Sequence, residues 1–110
     1  MNFYIGNSID EVDIGNENIE FSDELIAFIC KIDKRIMFGM NKLCEIDPYD
    51  DVEVAKEDLQ DIIAICHYII ESSLLHGYYD ESEGTQMLNN LIEIAQDALR
   101  RNMGLVSIGD

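Results

Sequence analysis

Leu25, Ile29, Ile32, Ile36, Met40 and Leu43 recur at intervals of 4, 3, 4, 4 and 3 residues, which puts all six on one side of an α-helix. Phe28 widens that stripe, and Ile26, Cys30, Met37 and Cys44 form a second one. Lys31, Asp33, Lys34, Arg35 and Lys42 fall mostly between them. Ser22 is placed to cap the start, with Asp23 and Glu24 favouring the dipole in the first turn. The spacing predicts an amphipathic helix over 22–46, weakened at Gly39 by about 1 kcal/mol relative to Ala.

Two further periodic stretches follow. Asp47-Pro48 suits a helix start, because Pro at the first helical position lacks only an N–H that has no partner there. The helix begins at that point or after Asp50, and Val52, Ala55, Leu59, Ile62, Cys66, Ile69 and Ile70 carry it to His76-Gly77. A third helix is expected over 83–103, through Leu88, Leu91, Ile92, Ala95 and Ala98, closed by Gly104. Residues 1–21 show scattered apolar anchors without a clean period and read as an irregular arm. Phe3-Tyr4-Ile5 within it forms a short strand or a docked extension. Leu105, Val106 and Ile108 either pack beneath the last helix or pair with Phe3-Tyr4-Ile5. The expected fold is all-α: a single domain over 1–110, an antiparallel bundle of three long helices with the arm and the C-terminal segment laid against it.

Charge narrows the function. Seven Lys and Arg stand against 23 Asp and Glu, a net charge of −16, and no basic residue precedes Lys31. Phosphate backbones and anionic lipid surfaces are bound through clustered cations, so neither nucleic acid nor membrane is an expected partner. A field of this sign attracts a basic protein and speeds its encounter. No apolar run reaches the roughly 18 residues of a membrane span. The first ten residues lack a basic start and an apolar stretch, so a cytoplasmic location is expected. Cys30, Cys44 and Cys66 form no CxxC pair and lie among apolar residues, which predicts three buried free thiols.

Motifs for chemistry are missing. His67 precedes Glu71 by one helical turn, an arrangement typical of a structural histidine, and His76 sits at a helix end. The Glu-x-x-His pair of di-iron bundles fails, since positions 64 and 73 are Ala and Ser. Asp10 to Gly15 has a Gly at the sixth position of a calcium loop, but Val12 and Ile14 occupy ligand slots. No nucleophile elbow, Walker loop or GxGxxG occurs. The expectation is a non-enzyme without metal or cofactor.

Acids at helix starts are accounted for by the dipole. Those in the arm, and Glu57, Asp58 and Asp61 further along the second helix, are not. In an up-down-up bundle the start of the first helix and the loop 77–83 share one end. That end collects Asp10, Glu11, Asp13, Glu17 and Glu20 with Asp23, Glu24, Asp80, Glu81 and Glu83, and adds Tyr78 and Tyr79, a residue type suited to anchoring an interface. It is the expected binding surface. A second surface at the opposite end holds Asp47, Tyr49, Asp50, Asp51, Glu57, Asp58 and Asp61.

The opening Phe3-Tyr4-Ile5-Gly6-Asn7-Ser8-Ile9-Asp10-Glu11-Val12, with Ile19-Glu20-Phe21-Ser22, resembles the N-termini of bacterial immunity proteins of polymorphic-toxin and contact-dependent growth-inhibition systems. The likeness covers about the first 25 residues; the remainder matches in size, acidity and helical class. The family shares no catalytic motif. The resemblance implies a cytoplasmic inhibitor forming a heterodimer with one basic protein toxin, often a nuclease with a cationic cleft. Two other readings of the acidity are a nucleic-acid mimic that blocks a DNA- or RNA-binding enzyme, and a helical regulator that dimerises.

Overall fold

The two ends of the chain pair with each other. β1 (Asn2–Ile5) and β4 (Leu105–Ile108) run antiparallel, with Phe3 opposite Ser107 and Ile5 opposite Leu105. β2 (Asn18–Glu20) adds to the other side of β1, and β3 (Val52–Val54) to the other side of β4, giving a four-stranded antiparallel sheet in the order β2-β1-β4-β3. The computed structural model describes residues 1–12, 15, 17–32 and 41–109. Its helices are α1 (Asp23–Ile32), the short α2 (Asn41–Cys44), α3 (Lys56–Glu71) and α4 (Glu81–Arg100). The expected all-α bundle is therefore wrong: the chain folds as helices against a sheet.

Side-chain alternation explains the layers. Opposed residues share a face, so Phe3, Ile5, Ile19, Val52, Val54 and Leu105 lie on one side of the sheet. They meet α4, with α3 beside it, in a core holding Leu59, Ile62, Ile65, Ile69, Leu88, Leu91 and Ala95. Each large apolar side chain fully buried there stabilises the fold by about 1.5–3 kcal/mol. Phe21, Leu25 and Ile29 bring α1 into the same core, where the Phe3 and Phe21 rings meet edge-on at 6.0 Å.

The far face of the sheet is not bare. Tyr4 and Val106 are buried on it, although they lie outside the main core. The connection after β1 crosses that face: Val12 and Val106 approach Gly6, and the Ile9 N–H donates to the Glu53 carboxylate at 2.8 Å. So β1 and β2 form a hairpin, not an irregular arm, and residues 6–12 after β1 form a cover with a 3-10 turn over Ile9–Glu11.

The remaining boundaries shift for local reasons. The helix expected from residue 48 begins at Lys56, because 47–50 form turns and Val-Glu-Val at 52–54 is a strand. It also stops at Glu71, not His76. There the Ser73 and Leu74 N–H groups return to the Ile70 and Ile69 carbonyls, with Ser73 in the left-handed region at φ 55°. α4 starts earlier than residue 83, capped by Asp80, whose carboxylate accepts the Glu83 N–H at 3.1 Å. The middle of the helix expected over 22–46 lies outside the described residues; α1 and α2 stand at its two ends. Cys30 and Cys44 form a disulfide, with Cα atoms 5.7 Å apart, which corrects the expectation of three free thiols. Cys66 alone is free and is buried in α3.

Candidate functional site

β2 leads directly into α1, so Glu20 and Glu24 stand at the sheet end where the chain turns into its first helix. The loop between α3 and α4 arrives at the same place. The Tyr78 ring packs on Phe28 at 5.2 Å, and its hydroxyl lies 3.4 Å from the Ser22 Oγ, which itself accepts the Leu25 N–H. Gly84 allows this, since Leu75 and Tyr78 come within about 3.1–3.3 Å of where a Cβ would sit. Tyr79 is 75% exposed and leans on Tyr78 at 4.8 Å between ring centroids. The outcome is a projecting tyrosine with Glu24 and Glu83 near it, and Asp80 and Glu20 near Glu83.

Electrostatics confirm that these groups sense one another. The Glu83 carboxyl is raised above the ordinary carboxylate value, first by partial loss of water, then by hydrogen bonding to Asp80 and by the charges of Asp80, Glu20 and Glu24. Tyr79 is raised by hydrogen bonding with Tyr78 and by that neighbour's charge, with Glu83 and Glu24 adding to it. Like charges held together raise the cost of ionisation, and a cation placed among them removes that cost. Among the described residues Lys56 donates to Asn102, and Arg100 and Arg101 both pair with Asp97 at the opposite end of α4, while the Met1 ammonium stands 3.7 Å from Asp23 at the start of α1.

The expected surface is thus only partly assembled. Glu20, Tyr78, Tyr79, Asp80 and Glu83 come together. Asp10 and Glu11 are carried to the other end of the sheet by the β1–β2 hairpin, beside Glu53, and Glu11 accepts the Asn7 N–H at 3.1 Å. Glu17 lies against α4 near Glu93 and Asp97. Glu81 points to the outer side of α4 with Ser82, Thr85 and Gln86. Asp13 lies outside the described residues.

The second surface has a structural account. The Asp47 and Asp50 carboxylates accept the Tyr49 and Asp51 N–H groups, and Asp51 accepts the Gly109 N–H at 3.1 Å. These acids build the turn into β3 and tie it to the end of β4. Because α3 starts at Lys56, Glu57 and Asp58 belong to its first turn, where the dipole favours them, and Asp61 is exposed one turn on. Tyr49 remains 70% exposed.

Glu24 and Phe28 complete the tyrosine site. Glu24 was recognisable as a first-turn acid at the same end, whereas Phe28 read only as a core residue. Among the described residues no group of His, Cys, Asp and Glu is arranged to hold a metal ion, and no helix is long and apolar enough to cross a membrane. No protein-family model, curated protein or solved structure matches this chain.

Proposed function

We propose that this chain is an immunity protein that neutralises a cognate bacterial toxin, a basic protein such as a nuclease, by covering its cationic surface. The observation that carries the reading is Tyr79 standing exposed beside Glu24 and Glu83, with Asp80 and Glu20 close to Glu83, on a molecule of net charge −16. Its support is physical. Exposed tyrosines supply rigid contact area, clustered acids steer a cationic partner, and toxin–immunity pairs reach the tightest affinities known between proteins. The resemblance of the first 25 or so residues to immunity proteins points the same way. The place of action under this proposal is the cytoplasm of the protected cell.

The test is co-expression with the toxin encoded beside the gene. Survival, a stable heterodimer and an association rate that falls with salt are expected. Glu20→Lys is the variant of choice, because Asp80 also caps α4 and its reversal would weaken the helix. Normal toxicity in the presence of the folded protein refutes the proposal.

A further inference from the structure

We propose that the edge of β2 at Glu20, together with α4, forms a groove that takes an extended, lysine- or arginine-bearing segment of another protein as a fifth strand.

Hydrogen-bond parity fixes what the edge presents. The Phe21 N–H donates to the Met1 carbonyl at 2.9 Å, and the Met1 ammonium donates to the Phe21 carbonyl at 3.2 Å. In an antiparallel ladder such mutual pairs recur every second residue. Ile19, opposite Phe3, is therefore the next pair and turns its N–H and C=O toward β1. Those of Glu20 turn away from the sheet, and among the described residues they have no hydrogen-bond partner.

Glu45 and Ile46 lie against β3, leaving a cleft of about 70 Å³. Beside β2 the space is about 370 Å³, with Ile19 and Ile94 as an apolar floor and Glu17, Glu93, Asn90 and Asp97 around it. Arg100 and Arg101 are paired with Asp97, whereas Glu17 and Glu93 have no cationic partner among the described residues. A strand edge beside a helix is a general peptide-recognition geometry, in which main-chain bonds hold the segment and side-chain pockets select it.

Charge selects the occupant. A second copy of this chain would bring Glu17 and Glu20 against their own equivalents, and like charges across a strand pair are destabilising. Nucleic acid is repelled by the same groups. A basic strand meets them favourably: on the α4 side an apolar residue covers Ile19 and Ile94 while basic residues two positions to either side reach Glu17 and Glu93, and on the opposite side a basic residue reaches Glu20. The inference does not depend on the partner being a toxin, and a toxin that escaped neutralisation would leave it standing.

The probe is a blocked Lys-Lys-Val-Lys-Lys peptide, titrated into the ¹⁵N-labelled protein and followed by NMR and amide exchange. We expect shifts at 17–20 and along 90–100, slowed exchange of the Glu20 amide, and loss of both when alternate peptide amides are N-methylated. Glu17→Lys and Glu93→Lys, both exposed positions, should each weaken binding about tenfold or more, and Glu83→Lys little. Equal binding of the N-methylated peptide would reduce the effect to charge attraction and overturn the proposal. So would shifts centred on 78–83, no shifts up to about 1 mM peptide, or dimerisation of the free protein with the Glu20 amide already protected.

Discussion

Tyr79 rests on Tyr78, with ring centroids 4.8 Å apart and planes inclined by 47°, while Tyr78 is fastened to α1 through Phe28 and Ser22. One ring is therefore support and the other is display. Tyr79→Ala should change stability by no more than about 0.5 kcal/mol in urea unfolding. It should weaken binding of the proposed basic partner by more than about 2 kcal/mol in calorimetry. Tyr78→Ala, which opens a hole beside Leu75 and Phe28, should cost about 2–3 kcal/mol of stability. Equal destabilisation by both would mean that Tyr79 is a packing residue.

Glu83 has a raised folded-state value, so the folded protein binds more protons than the unfolded chain just above pH 4.5. Stability then falls as pH rises through that window, and the penalty is absent well below the unfolded value. Glu83→Gln keeps a good residue for the third helical position and removes the charge. It should raise Tm at pH 7 and leave Tm unchanged near pH 3. Calorimetric scans at the two pH values give the comparison, and an equal shift at both would assign the effect to something other than ionisation.

Much of the helical content was legible in the sequence, and the sheet was not, for two physical reasons. Val52, Ala55, Leu59 and Ile62 fit a helical period across what is a strand followed by a helix. The period-2 signal in Val-Glu-Val is only three residues long. β1 and β4 are central and covered on both faces, so Tyr4 and Val106 are apolar where a half-exposed strand would show polar residues. Their pairing was one of two open alternatives for the C-terminal segment. The site was half legible for the same reason. The end shared by the α1 start and the loop 77–83 survives the change of fold. The hairpin, however, separates Glu11 from Glu20, and a bundle reading of the arm has nothing to reverse the chain between them.

Gly104 tests that sheet. A Cβ there would run into the Val54 carbonyl oxygen and come 3.3 Å from the Lys56 nitrogen, both backbone atoms that cannot swing aside. Gly104→Ala should lower stability by about 1–3 kcal/mol and loosen β3 from β4, read as faster exchange of amides in both strands. A neutral effect would contradict the β3–β4 register.

Ser73 holds φ 55° at the end of α3, a conformation that costs a residue with a Cβ about 1–2 kcal/mol. Ser73→Gly should therefore stabilise by about 0.5–1 kcal/mol after the entropy of the added glycine is deducted. The equivalent position after α4 is Asn102 at φ 58°, whose Oδ1 accepts from Lys56 at 2.7 Å. Asparagine tolerates this conformation, so Asn102→Gly should gain less, or lose. Paired urea curves for the two variants decide the order.

The Cys30–Cys44 bridge spans 14 residues of sequence and fastens α1 to α2, whereas Cys66 is buried in α3 and its thiol is pushed up to about 12 by burial. Closing a loop of that size limits the unfolded chain by about 3 kcal/mol on the entropy model. Reduction, or Cys30→Ser with Cys44→Ser, should lower stability by about that amount. Thiol titration should find Cys66 silent in the native protein, one thiol after denaturation without reductant, and all three after reduction. An immunity protein in a reducing cytoplasm must also hold its fold and its partner with the bridge open. The reduced protein, still below its melting temperature, is therefore expected to neutralise as well as the oxidised one. If reduction abolishes partner binding while the far-UV spectrum stays native, the bridge shapes the binding surface and the cytoplasmic setting is wrong.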